Sequence, residues 1–125
     1  MKWNRLCELG RELPEVVEDI WYRTPALKVR GKGFVRLKED GASVVFLLES
    51  LDDKESLLAT QPAVYFTTDH YNGHAIVLAR LASLREAEAR RRLESAYRQK
   101  APRALIAQLD APAAAKPAKK PRARR

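Results

Sequence analysis

One cysteine in 125 residues removes two architectures at once. Cys7 has no partner for an intramolecular disulfide, and no zinc cluster built on several thiolates can form. Histidine is nearly as scarce, with only His70 and His74. No apolar run approaches the ~20 residues that a membrane-crossing helix requires. Met1-Lys2-Trp3-Asn4-Arg5 leads into no hydrophobic signal segment. Together these absences favour the cytoplasm. Catalytic signatures are missing too: there is no nucleophile elbow, P-loop, glycine-rich dinucleotide fingerprint or HExxH. Scattered Ser, His and Asp residues make no triad without geometry. No enzymatic activity, cofactor or resident metal is therefore expected.

What the chain does carry is positive charge. Lys and Arg exceed Asp and Glu by eight, with a pI near 9.9. Six of those eight charges follow Asp110: Lys116, Lys119, Lys120, Arg122, Arg124 and Arg125, with no acid among them. Residues 1–110 therefore keep a net charge of only +2. An Ala/Pro/Lys/Arg segment has too little apolar surface to bury, so 111–125 reads as a disordered basic tail behind one folded domain, 1–110. Such tails attract nucleic acid phosphates without reading sequence, or simply aid solubility.

The folded part is organised around Thr24 to Leu48. Three consecutive strands are expected, near Ala26–Arg30, Phe34–Lys38 and Ser43–Leu48. The first joint is Gly31-Lys32-Gly33 and the second Glu39-Asp40-Gly41, where glycine supplies the positive φ of a tight turn. Lys28, Arg30, Lys32, Arg36 and Lys38 make the first two strands a basic hairpin, with Val29, Val35 and Leu37 alternating between them. Val44-Val45-Phe46-Leu47-Leu48 has no polar alternation and reads as covered on both faces.

Around this stretch, Trp3, Leu6, Cys7 and Gly10 fall at helical spacing and predict a short first helix. On that stripe Cys7 is either a reactive thiol or, as free cysteines generally are, a small buried hydrophobe. Pro14 followed by Glu15, Glu18 and Asp19 predicts a second short helix. Ser50 and Asp52 are both candidate N-caps for a helix reaching about Thr60, Asp52 with Glu55 making a capping-box-like pair. Ser83 with Glu86 reads as a capping box opening a further helix that reaches Lys100. Strands are expected at 63–67 and 75–81, and one or two closing turns at 103–109. Arg90-Arg91-Arg92 spreads around its helix and reads as a solvated face paired with Glu86 and Glu88. Asp69, His70 and His74 offer two imidazoles and a carboxylate, but a turn-rich loop around Asn72-Gly73 explains the same letters. Trp21 and Tyr22 admit two readings, a base-stacking platform or packing at the core rim.

This order of elements predicts an α+β two-layer sandwich, an antiparallel sheet of about five strands with the N- and C-terminal helices on one face. LPEVVEDIWYRTPALKVRGKGFVRLKEDG, the downstream QPAVYFTTDHYNGHAIVLARL and the closing helix resemble the MmcQ/YjbR family. The resemblance covers roughly Leu6 to Lys100 and rests on Pro14, Thr24-Pro25, Lys28, Gly31-Lys32 and His70-Tyr71-x-Gly73. It implies a frataxin-like (CyaY-like) fold and a DNA-binding role through a double wing of hairpins. On that basis Lys28, Arg30, Lys32, Arg36 and Lys38 are expected to contact DNA phosphates, with Lys32 at the wing tip, and the tail to add diffuse attraction. Phosphate contacts specify no bases, so binding is expected to be sequence-nonspecific. The alternative is a protein- or small-molecule-binding module with a pocket of Trp21, Tyr22, His70, Tyr71 and His74. A frataxin-like iron site would need more acid than Glu15, Glu18 and Asp19 supply.

Overall fold

A computed structural model describes residues 1–111. The tail cations Lys116, Lys119, Lys120, Arg122, Arg124 and Arg125 lie outside the described residues. The elements run α1 (Trp3–Gly10), β1 (Val16–Trp21), β2 (Thr24–Val29), β3 (Lys32–Leu37), β4 (Ser43–Leu47) and α2 (Leu51–Thr60). They continue with β5 (Tyr65–Phe66), β6 (Ile76–Arg80), α3 (Glu86–Lys100) and α4 (Arg103–Asp110). All strand pairs are antiparallel, in the order β1-β2-β3-β4-β6-β5. The α+β expectation therefore holds, with six strands rather than about five. Among the described residues no helix is long and apolar enough to cross a membrane.

The additional strand is β1, where a helix from Pro14 was expected. Glu15 sits at φ 60, a left-handed conformation that an α-helix cannot continue through. β-branched Val16, Val17 and Ile20 then extend easily and pair with β2 from Val16↔Val29 to Trp21↔Thr24. Glu18 and Asp19 thus lie on a free sheet edge instead of a helix. Of the two candidate caps of α2, Ser50 takes the place, its Oγ accepting from the Asp53 N–H at 3.1 Å. One capping expectation changes. Ser83 lies in a short 3₁₀ turn, while the Glu86 carboxylate is held by Arg5 at 2.6 and 2.9 Å and reaches back to no cap.

Each helix contributes to one core: Leu6 and Leu9 from α1, Leu57 from α2, Leu93 and Tyr97 from α3, Leu105 from α4. They meet the sheet face carrying Leu27, Val29, Val35, Val44, Phe46, Val77 and Ala79. The Phe34 and Tyr97 rings meet edge-to-face at 5.7 Å, and the Tyr97 hydroxyl donates to Pro14 O at 2.8 Å, fastening the loop before β1. The opposite face carries the short 3₁₀ turn Asp69–Tyr71, and no residue of α1–α4 joins its apolar cluster. A smaller cluster of Val45, Leu78 and Tyr71 lies there with Phe66 and Ile76.

Cys7 belongs to the core, 2% exposed, and burial pushes its thiol up to about 11. It is expected to resist Ellman's reagent at pH 8 and to react at once after denaturation. A raised acid pKa favours folding below the thiol's ordinary value near 9 and loses that contribution as pH climbs towards 11. Rapid labelling of native protein would show the α1–α3 seam to be open.

Candidate nucleic-acid interface

Two tight turns at opposite ends of β2 present the charged and aromatic side chains. Between β2 and β3, Arg30 (φ 50) and Gly31 (φ 81) form a two-residue turn of the I′ kind. The tip is thus Arg30-Gly31, and Lys32 opens β3 rather than marking the apex. Between β1 and β2 the same left-handed pair is made by Tyr22 (φ 54) and Arg23 (φ 68). Neither is glycine or asparagine, so each costs roughly 1–2 kcal/mol of backbone strain.

The five hairpin cations do not form an open basic face. The Arg30 guanidinium grips Glu15 at 2.5 and 3.0 Å, which holds that carboxyl below its usual range. The Lys28 ammonium lies 3.5 Å from Asp19, a carboxyl lowered by the Ile20 N–H and then by Lys28. Lys38 stands 3.5 Å from Glu39. Arg36, expected to touch phosphate, is only 8% exposed. Its guanidinium donates to the Thr24 hydroxyl at 3.3 Å and the Tyr71 hydroxyl at 3.1 Å, and reaches towards Glu39 at 3.5 Å. The sheet pleat turns Arg36 onto the Tyr71 face, where neighbouring aromatics cover it, so it is removed from the phosphate set.

Lys32 alone of the five has no carboxylate partner among the described residues. It lines a cleft of about 310 Å³ with Arg30, Gln99, Lys100, Ala101 and Pro102. No acid lines that cleft, and Lys100 is likewise without a carboxylate partner among the described residues. At the end of α3 Lys100 also offsets the negative end of the helix dipole.

Four of the five aromatic and imidazole residues expected to form a pocket do come together, but as a row across the Tyr71 face. Trp21 and Tyr22 stack at 5.3 Å with 30° between their planes. The Arg36 guanidinium lies 5.4 Å from the Tyr22 ring centre and bonds the Tyr71 hydroxyl. His70 meets Tyr71 edge-on at 4.7 Å. The Trp21 indole crosses β3 so closely that a Cβ at Gly33 would collide with it. His74 joins differently, through its carbonyl. Buried Lys54 donates to Tyr71 O at 2.6 Å and His74 O at 2.9 Å, tying α2 to this loop, and desolvation holds its pKa below the ordinary lysine value.

Lys54 and Lys100 were absent from the sequence-derived set. A signal existed for Lys54: it sits three residues from both Leu51 and Leu57, on the apolar stripe of α2. No group of three or more His, Cys, Asp or Glu that could hold a metal occurs among the described residues, Asp69, His70 and His74 included.

Against known families, the model described as YjbR matches residues 11–99, spanning both turns, the cleft up to Gln99 and the aromatic row. The chain belongs to the YjbR family. Curated relatives of this YjbR chain are an uncharacterized protein of Mycobacterium bovis and two uncharacterized proteins of Mycobacterium tuberculosis, strains CDC 1551 and H37Rv. Each is 38% identical over 53 residues, which is 42% of this YjbR chain. The matched stretch spans 41% of the length of each relative.

Proposed function

We propose that this YjbR-family protein is a cytoplasmic DNA-binding protein rather than an enzyme, contacting phosphates without reading base sequence. The cleft of Arg30, Lys32 and Lys100 carries this reading: beside Arg30, which Glu15 holds, it gathers two lysines that have no carboxylate partner among the described residues. Lys116, Lys119, Lys120, Arg122, Arg124 and Arg125 add attraction by charge alone. Lys28 and Lys38 stand near the hairpin as secondary contacts, each shared with an acid. A base-reading helix is not part of the proposal, because α3 turns its apolar side to the sheet and spends its arginines on Glu12, Glu86, Glu88, Glu94 and Asp110.

Duplex-DNA anisotropy against salt concentration tests this in the full chain, in a chain ending at Ala111, and in K32E/K100E. Each phosphate contact contributes about 0.9 to the magnitude of the log–log slope, so the double substitution is expected to reduce it by about 2 or more. If binding disappears with the tail and K32E/K100E changes nothing, the cleft has no such role. A protein-binding module is then the reading to pursue. One observation favours it: Val17 and Ile20, 52% and 56% exposed, lie on the free edge of β1, where a partner strand could pair.

A further inference from the structure

The β1–β2 turn carries a second, different kind of contact. Tyr22 is 68% exposed and Trp21 half-buried beside it, so neither is wholly packed into the core or its rim. The exposure is structurally maintained. The Arg36 guanidinium lies near the Tyr22 ring at 5.4 Å, Trp21 flanks it at 5.3 Å, and the two residues of the turn hold left-handed backbone that Asn-Gly would adopt far more easily. A bulky aromatic kept in such a conformation, polarised by a cation and left largely to solvent, is a ring with free surface. Arg23, exposed on the same turn, stands next to it.

We infer that Tyr22, backed by Trp21 and Arg36, is a stacking site for an unpaired base, so that the protein takes single-stranded nucleic acid, with Arg23 available to the adjoining phosphate. This rests on the nucleic-acid reading above and names the form of the polymer. Stacking suits the chemistry: every base offers a π-face, so the contact discriminates strands with accessible bases without discriminating their sequence. It also divides the labour along β2, with charge at the Arg30-Gly31 end and the ring at the Tyr22-Arg23 end. A six-residue strand puts those ends about 20 Å apart, a distance that a few extended nucleotides span.

The test compares two probes of equal length and phosphate number, an oligothymidylate and an oligomer made of abasic sites, binding the full chain at one salt concentration. Wild type is expected to favour the oligothymidylate about tenfold or more. Y22N should lose that preference while binding the abasic strand as before, and Y22F should keep it. Asparagine accepts left-handed φ better than tyrosine, so Y22N should fold at least as stably as wild type, and lost binding cannot be blamed on unfolding. In a W3F background, quenching of Trp21 emission by the oligothymidylate alone gives an independent readout. An unchanged preference in Y22N overturns the stacking site. If abasic binding still falls with K32E/K100E, the phosphate reading survives that loss. If the full chain binds neither probe nor duplex, both readings fall together.

Discussion

Replacing Arg36 with alanine is expected to lower the unfolding free energy by about 3 kcal/mol, or about 10–20 °C in Tm for a domain of this size. The guanidinium is the centre of the Tyr71 face. It satisfies the Tyr71 hydroxyl, binds Thr24, lies near Tyr22 and packs its alkyl stem over the sheet. Alanine leaves the buried Tyr71 hydroxyl without this donor and Tyr22 without its cation. Lysine is expected to recover only part of the loss, because one ammonium cannot bridge two hydroxyls in the plane of a fork. Y71F should cost about 1 kcal/mol, and its effect should not add to that of R36A. Thermal unfolding followed by circular dichroism measures all three. The consequence for DNA work is direct: a charge reversal at Arg36 weakens binding through the fold, so Lys32 and Lys100 are the positions to reverse. An unchanged Tm in R36A, with DNA affinity lost, would return Arg36 to the phosphate set.

Valine at Gly33 is the second large effect. Gly31 is glycine for its positive φ, whereas Gly33 is glycine for proximity: the Trp21 indole lies where a side chain would start. An indole is rigid and cannot fold away as a leucine tip can, so G33V must lift it off β3 or push the strands apart. Such overpacking costs about 1–3 kcal/mol. In a W3F background Trp21 emission should shift to the red as the ring gains water. The cycle with W21L checks the cause, since G33V should cost far less once the indole is gone. Equal costs in both backgrounds would mean that Gly33 answers to the β2–β3 bulge between Leu27 and Lys28 instead.

What the sequence revealed and what it concealed divide by distance along the chain. The strands from Thr24 to Leu48 were legible because turn glycines and alternating valines act locally. β1 was not, because Pro14 with three nearby acids imitates a helix start, and only pairing with β2 decides otherwise. The basic hairpin misled in the same way. Its cations are adjacent in sequence, but their partners come from elsewhere: Glu15 to Arg30, Asp19 to Lys28, and Tyr71, 35 residues on, to Arg36. Trp21, Tyr22, His70 and Tyr71 stand out in the sequence without the residue that joins them, since Arg36 reads there as one of the phosphate-contacting cations of the hairpin. Helical periodicity served α1 and α3 well. Capping logic found Ser50 for α2 but failed at α3, where the Arg5–Glu86 pair outweighs a local S-x-x-E motif.

The acids at the middle of β1 bear on how copies of this chain behave when crowded. The outward-facing backbone groups of a six-residue edge strand beside Val17 and Ile20 would ordinarily seed edge-to-edge assembly into ribbons. In an antiparallel meeting of two copies about the centre of β1, however, Glu18 falls opposite Asp19 of the second copy, or one of the two acids falls opposite itself. Such a meeting would have to crowd the two acids together or break their pairs with Arg11 and Lys28, which weighs against self-association. A foreign strand with lysine or arginine at that place would meet attraction instead, so one dipeptide makes the edge discriminate between a second copy and a basic partner strand.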